Sequence, residues 1–182
     1  MRIGMRGSVA CGALVAGLGI ASLAAAQQPD GPRPSQLASV TQEVHKTIIA
    51  VKYSRPVARG REIWGKLVPY GPVWTPGAND ATELTVSTDV TINGQKVPAG
   101  TYTVWSEPGP ERWTVFLNSA HPVFHIRHAD VADKDLPRMA VTPRQGTHME
   151  TLAWYFPMVD GRKAELVVHW GMVIVPLAIE VP

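Results

Sequence analysis

Cysteine is almost absent: the 182 residues contain one, Cys11. It stands inside an apolar run (9–23) that follows Arg2 and Arg6 and precedes Ala24-Ala25-Ala26. A basic start, a short apolar stretch and a small-residue cleavage point form the order of an export signal. Residues 1–26 are therefore expected to be a signal peptide. Cleavage would remove Cys11, leaving no disulfide, no thiolate nucleophile and no cysteine metal site. The apolar run is short for a membrane span and leads straight into a polar, proline-containing stretch, so no span is expected after cleavage. The expected location is periplasmic or secreted.

Excess charge is missing too. The chain carries 17 Lys+Arg against 15 Asp+Glu, and without Arg2 and Arg6 the two signs balance. Such a chain offers no basic surface for nucleic acid. Among motifs, there is no Gly-x-Ser-x-Gly elbow, no phosphate-cradling glycine loop and no dinucleotide fingerprint. No catalytic residue and no cofactor is expected. Glu107, Glu111, Asp130, Asp133 and Asp135 sit near turns, as solvated loop carboxylates do.

What is present is period-two alternation. Residues 27–36 read as a flexible lead-in, rich in Pro and Gly, with at most a helical turn near Pro34 to Leu37. Residues 37–182 read as one domain. Leu84, Val86, Thr88, Val90 and Ile92 alternate with polar residues, and Asn93-Gly94 then marks a tight hairpin. Strands are expected over 101–107 and 112–118, with Tyr102/Val104 and Trp113/Val115/Leu117 facing inward. Further strands follow over 138–142, 151–156, 162–170 and 172–181, with Pro176 marking an edge or bulge. About nine strands in one domain predict an all-β fold, a two-sheet antiparallel sandwich with a long ordered loop region.

That loop is 53–82. It crowds Trp64, Trp74, Tyr53 and Tyr70 among Pro56, Pro69, Pro72 and Pro76, without a regular period for most of its length. Fixed φ at proline beside bulky rings implies one held shape, and ordered irregular loops are frequent binding sites. Arg55 and Arg61 offer guanidinium forks for an anion; Tyr70 and Trp74 offer flat faces; Asn79 offers donors and acceptors. The same residues also suit an architectural role. Arg55 would pair with Glu62 or Asp80, Trp64 and Trp74 would plug one end of the sandwich, and Asn79-Asp80 would cap a turn.

This stretch resembles the bacterial exported family known as domain of unknown function 2911. The resemblance lies in Tyr53-Ser54-Arg55-Pro56, Gly60-Arg61, Leu67-Val68-Pro69-Tyr70-Gly71, Val73-Trp74 and Gly77-Ala78-Asn79-Asp80-Ala81-Thr82. It continues through 97–102 and 113–118 and into 175–181. The resemblance implies an exported β-rich domain and brings no established activity. Two departures stand out: Thr75-Pro76 replaces the family's usual Arg-Thr pair, and HPVFHIRH (121–128) replaces a Trp-Gly and acidic stretch.

His121, His125 and His128 are close enough in sequence to suggest zinc or copper, joined by His148 or His169. Val123 to Arg127 reads as a strand, however, which would send His125 and His128 to opposite faces. They remain weak metal candidates, and no metal is assigned. The leading expectation is a non-catalytic binding module for a small polar or anionic envelope ligand, a sugar among them, using Arg55, Arg61, Tyr70, Trp74 and Asn79. The alternatives are a metal-dependent hydrolase or metal-binding protein, and a structural envelope protein. The oligomeric state is left open.

Overall fold

The computed structural model describes residues 33–182. The expected signal, and the lead-in up to residue 32, lie outside the described residues. Ten strands follow in order: β1 (Gln36–Val44), β2 (Thr47–Arg55), β3 (Glu83–Val86), β4 (Val90–Ile92), β5 (Gln95–Val97), β6 (Gly100–Glu107), β7 (Trp113–Asn118), β8 (Met139–Val141), β9 (Arg144–Asp160) and β10 (Lys163–Glu180). They form two antiparallel sheets, a six-stranded one ordered β1-β2-β3-β6-β7-β8 and a four-stranded one ordered β5-β4-β10-β9. The chain is an all-β sandwich.

Alternation places the core. In β2, Ile49, Val51 and Tyr53 are buried while Ile48 and Lys52 face out. Leu84, Val86, Val90 and Ile92 are all buried, as the pattern predicts, but they belong to two sheets. Between them Ser87 Oγ accepts from Ile48 N at 2.8 Å, and Thr88 Oγ1 lies 2.7 Å from Thr47 Oγ1. The chain changes sheet there without changing which side chains point inward, because both sheets face one core.

The second half departs from the expected segmentation. The strands expected at 162–170 and 172–181 are one strand, β10, and its partner β9 starts at Arg144. Gly171 adopts φ +58°, and the β9–β10 register shifts on either side of it. It makes a bulge inside a continuing strand, where an isolated glycine looks like a break. Pro176 lies between the last β9 pairing, at Ile174, and the first β4 pairing, at Ile179, so its missing N–H interrupts neither ladder.

Two more expectations are corrected. Pro34 to Leu37 holds no helical turn, since Gln36 and Leu37 already pair with Arg55 and Ser54. Val123 to Arg127 is not a strand. It contributes one isolated bridge, Asp80 to Phe124, then turns into two short 3-10 helices, His128–Asp130 and Ala132–Lys134. The reason is the surface beneath. Trp105 and Phe116 point away from the main core and form a second cluster with Ala81 and Val123. Residues 119–138 cover that outer face; Val123 is the one residue of the stretch that is buried there, Ala120 and Val131 pack against the cluster in part, and Ile126 is left 71% exposed.

Candidate functional site

The loop expected at 53–82 begins only after Arg55, because Tyr53, Ser54 and Arg55 pair with β1, and its far end is tied down by hydroxyls and carbonyls. Thr75 Oγ1 donates to Val104 O at 2.9 Å and accepts from Thr82 N at 2.9 Å. Thr82 Oγ1 and Trp154 Nε1 both donate to Pro76 O, each at 2.9 Å. Thr75 and Thr82 are fully buried, so the position where the resemblance leads one to expect arginine holds a buried hydroxyl. Asn79 takes φ +62°, a region that Asn tolerates better than most residues. Its Nδ2 donates to Ser35 O at 3.0 Å, and its own carbonyl accepts from His125 N at 2.9 Å.

The two arginines go different ways. Arg55 Nε donates to Leu152 O at 3.0 Å, joining the end of β2 to β9. Neither Glu62 nor Asp80 pairs with it; Asp80 meets Arg33 at 3.4 Å instead. Arg61 Nε donates to Ala58 O at 2.8 Å, and one of its terminal nitrogens to Val57 O at 2.7 Å. The Arg59–Gly60 turn that aims Arg61 is held by Glu150, whose Oε1 accepts from Arg59 N at 2.6 Å and whose carbonyl accepts from Ala58 N at 2.8 Å. The hydrogen bond from His148 is the largest cause holding the Glu150 carboxyl below its ordinary value, with Arg59 N and the Arg61 charge adding to it.

Four tryptophans meet between these loops and the sheets. Trp64 lies edge-on to Trp74, Trp113 and Trp170, with ring centroids 5.8, 5.0 and 6.0 Å away. Trp74 and Trp170 are near-parallel at 6.4 Å. Trp64 Nε1 donates to Trp170 O at 3.3 Å, and Trp170 Nε1 to Glu150 O at 3.1 Å. Edge-to-face pairs of this kind add to the burial they accompany. Trp113 and Trp170 were legible as strand residues; nothing in their spacing showed that they converge with Trp64 and Trp74.

A hollow of about 350 Å³ opens beside this cluster. Trp74 and Trp170 line it together with Leu67, Val68, Pro56 and the Gly77-Ala78 backbone; Arg61, Ser35, Asn79 and His125 supply its polar surface. Three of the five expected binding residues, Arg61, Trp74 and Asn79, therefore share one site. Arg55 and Tyr70 do not line it. Tyr70 is 43% exposed, and its ring lies over Gly65. A larger hollow of about 540 Å³ runs along β4, β5 and the end of β10, but Asp89, Lys96 and Glu180 mark its polar surface and no aromatic ring lines it.

The histidines are scattered. His121 is exposed. His128 Nε2 lies 3.0 Å from both carboxylate oxygens of Asp135, with its ring against Trp105 and Phe116. His148 pairs with Glu150 at 3.1 Å. His169 is buried; its Nε2 donates to Thr147 O at 2.9 Å, which leaves Nδ1 to accept from the Tyr155 hydroxyl at 3.2 Å. Only His125 reaches the hollow. Burial lowers its pKa below the ordinary 6.5, and the Asp80 charge opposes that shift in part. Among the described residues no three His, Cys, Asp or Glu side chains group as a metal site would, and no helix is long and apolar enough to cross a membrane.

No curated protein and no solved structure matches this chain. Residues 35–179, which take in nearly all of the strands and the whole tryptophan-lined site, match the family described as "Protein of unknown function (DUF2911)", and the chain belongs to that family.

Proposed function

We propose that this protein is an exported, non-catalytic binding module that takes a small polar or anionic ligand, such as an envelope sugar or sugar acid, in the tryptophan-lined hollow. The observation that carries the reading is that Arg61, Trp74 and Asn79 share one concave surface with the apolar side chains of Leu67, Val68 and Trp170. Binding sites commonly combine apolar walls with a few converging polar groups. Trp74 supplies the flat contact, Arg61 the anion contact and Asn79 a polar group whose place is set by Ser35. The basic start, short apolar run and Ala24-Ala25-Ala26 support export to the periplasm or beyond. N-terminal sequencing of the protein recovered from that fraction tests this part; a retained Met1 would overturn it.

A thermal-shift screen against sugars, small anions and divalent metals tests the binding. A ligand at about a hundred times its Kd stabilises the fold by ~2.7 kcal/mol, a shift of several degrees for a chain this size. Trp74→Phe keeps an aromatic ring in the cluster and is expected to weaken the shift, while Tyr70→Ala leaves it in place. A shift that follows the histidines rather than Trp74 would favour the metal-binding alternative.

The four-tryptophan packing favours a second reading, in which the loop is architectural and the protein structural. It predicts no thermal shift with any small molecule, and contact with a protein partner or a second copy instead.

A further inference from the structure

Arg61 and His125 are the only charged or titratable side chains that line the hollow, and no carboxylate joins them there. Two of the five guanidinium hydrogens of Arg61 go to Val57 O and Ala58 O. No carboxylate pairs with that side chain among the described residues; the ion pairs found there use other arginines. His125 is held in place by its backbone, through Asn79 O, and by its ring contact with Phe124 at 4.6 Å. Neither of its ring nitrogens has a hydrogen-bond partner among the described residues, although the residue is only partly exposed. A cation and an imidazole with spare donors thus sit beside the apolar surface of Trp74 and Leu67.

We propose that the hollow takes a carboxylate-bearing ligand with a flat or apolar body, that Arg61 and His125 hold the carboxylate together, and that His125 takes up a proton as the ligand enters. The inference rests on the binding-module reading and narrows its ligand to one chemical class. A guanidinium fork binds a carboxylate through charge-assisted hydrogen bonds, and the tryptophan face accepts the ring that carries it.

Proton uptake follows from the groups around His125. Burial disfavours the imidazolium in the free protein. Asp80, itself paired with Arg33, acts against that shift in part. An arriving carboxylate adds a second negative charge on the side of the imidazolium. The bound-state pKa of His125 then lies above the free-state pKa. Affinity is therefore highest at low pH and falls as pH rises through the bound-state value.

The test is titration calorimetry of the whole protein with glucuronate against glucose, and with benzoate against benzyl alcohol. Each is run at about pH 5.5 and about pH 8, in two buffers that differ in protonation enthalpy. The carboxylate of at least one pair is expected to bind about tenfold or more tightly than its neutral partner at the lower pH, with net proton uptake. His125→Gln is expected to abolish the uptake and the tightening at low pH, and Arg61→Gln to reduce the carboxylate's advantage at both pH values. If neutral and anionic partners bind equally, or bind without proton uptake, the inference falls and the binding module stands. If none of the four binds and the wider screen is also flat, both fall. The probe comparison uses the unsubstituted protein, so a variant that fails to fold does not weaken it.

Discussion

Gly77 has the least room of the loop's glycines. A Cβ there would lie 2.6 Å from Thr82 Oγ1 and 3.4 Å from Ser54 O. Thr82 Oγ1 cannot retreat without giving up its bond to Pro76 O. Gly77→Ala is therefore expected to destabilise the fold by about 1–3 kcal/mol in urea denaturation. Thr82→Ala in the same chain should recover part of that loss, because the two positions share one contact. Additive losses would show that the clash is relieved elsewhere. Two titrating residues give a pH signature. His125 has a folded pKa below its ordinary 6.5, so stability falls as pH drops through 6.5 toward the lowered value. Glu150 acts in a more acidic window. Its contribution is complete above its ordinary value of 4.5 and is lost as pH falls through the depressed one. Melting temperature against pH should flatten near 6 in His125→Gln and only below about 4.5 in Glu150→Gln. No change in the first variant would show that His125 is solvated.

At the level of elements, the stretch 119–138 illustrates what burial decides. Asn118 Nδ2 donates to Asp135 Oδ1 at 2.8 Å and to Val131 O at 2.7 Å. Asp135 also receives His128, and Arg138 reaches both Asp135 and Glu107 while lying 4.1 Å from the Phe116 ring centroid. One carboxylate thus gathers three groups over a second apolar cluster. Asp135→Ala should cost about 1–3 kcal/mol and speed proteolysis within 119–138, because Asn118 and His128 lose a partner in a largely buried place. Unchanged cleavage rates would mean that Val123 and Trp105 hold the segment without it. This cover was not legible in advance. Val123-Phe124-His125-Ile126-Arg127 alternates as a strand does, and only the neighbouring sheet shows that one of its apolar residues has a surface to meet. The β4–β5 hairpin is the opposite case. Asn93 and Gly94 adopt φ +46° and +83°, as the dipeptide predicts, because that turn depends on two adjacent residues alone.

For the molecule as a whole, the tryptophan cluster joins the parts. Trp64 and Trp74 come from the loop, Trp113 from the six-stranded sheet and Trp170 from the four-stranded one. Trp64→Ala is expected to remove about 3–5 kcal/mol, with Trp64→Phe costing less, and to lower the single unfolding midpoint rather than split it. Two separate transitions would show that loop and sandwich unfold independently. The all-β class, the core-facing residues of the 84–92, 101–107 and 112–118 stretches, the tight hairpin and the presence of an ordered aromatic loop were determined by the sequence alone, since alternation and turn chemistry act between near neighbours. Which strands share a sheet, that Gly171 bends β10 without ending it, that Arg61, Trp74, Asn79 and His125 meet while Arg55 and Tyr70 stand apart, were decided only by the tertiary structure. Those outcomes depend on contacts between residues far apart in the chain, where packing and burial choose among pairings that local pattern leaves equivalent.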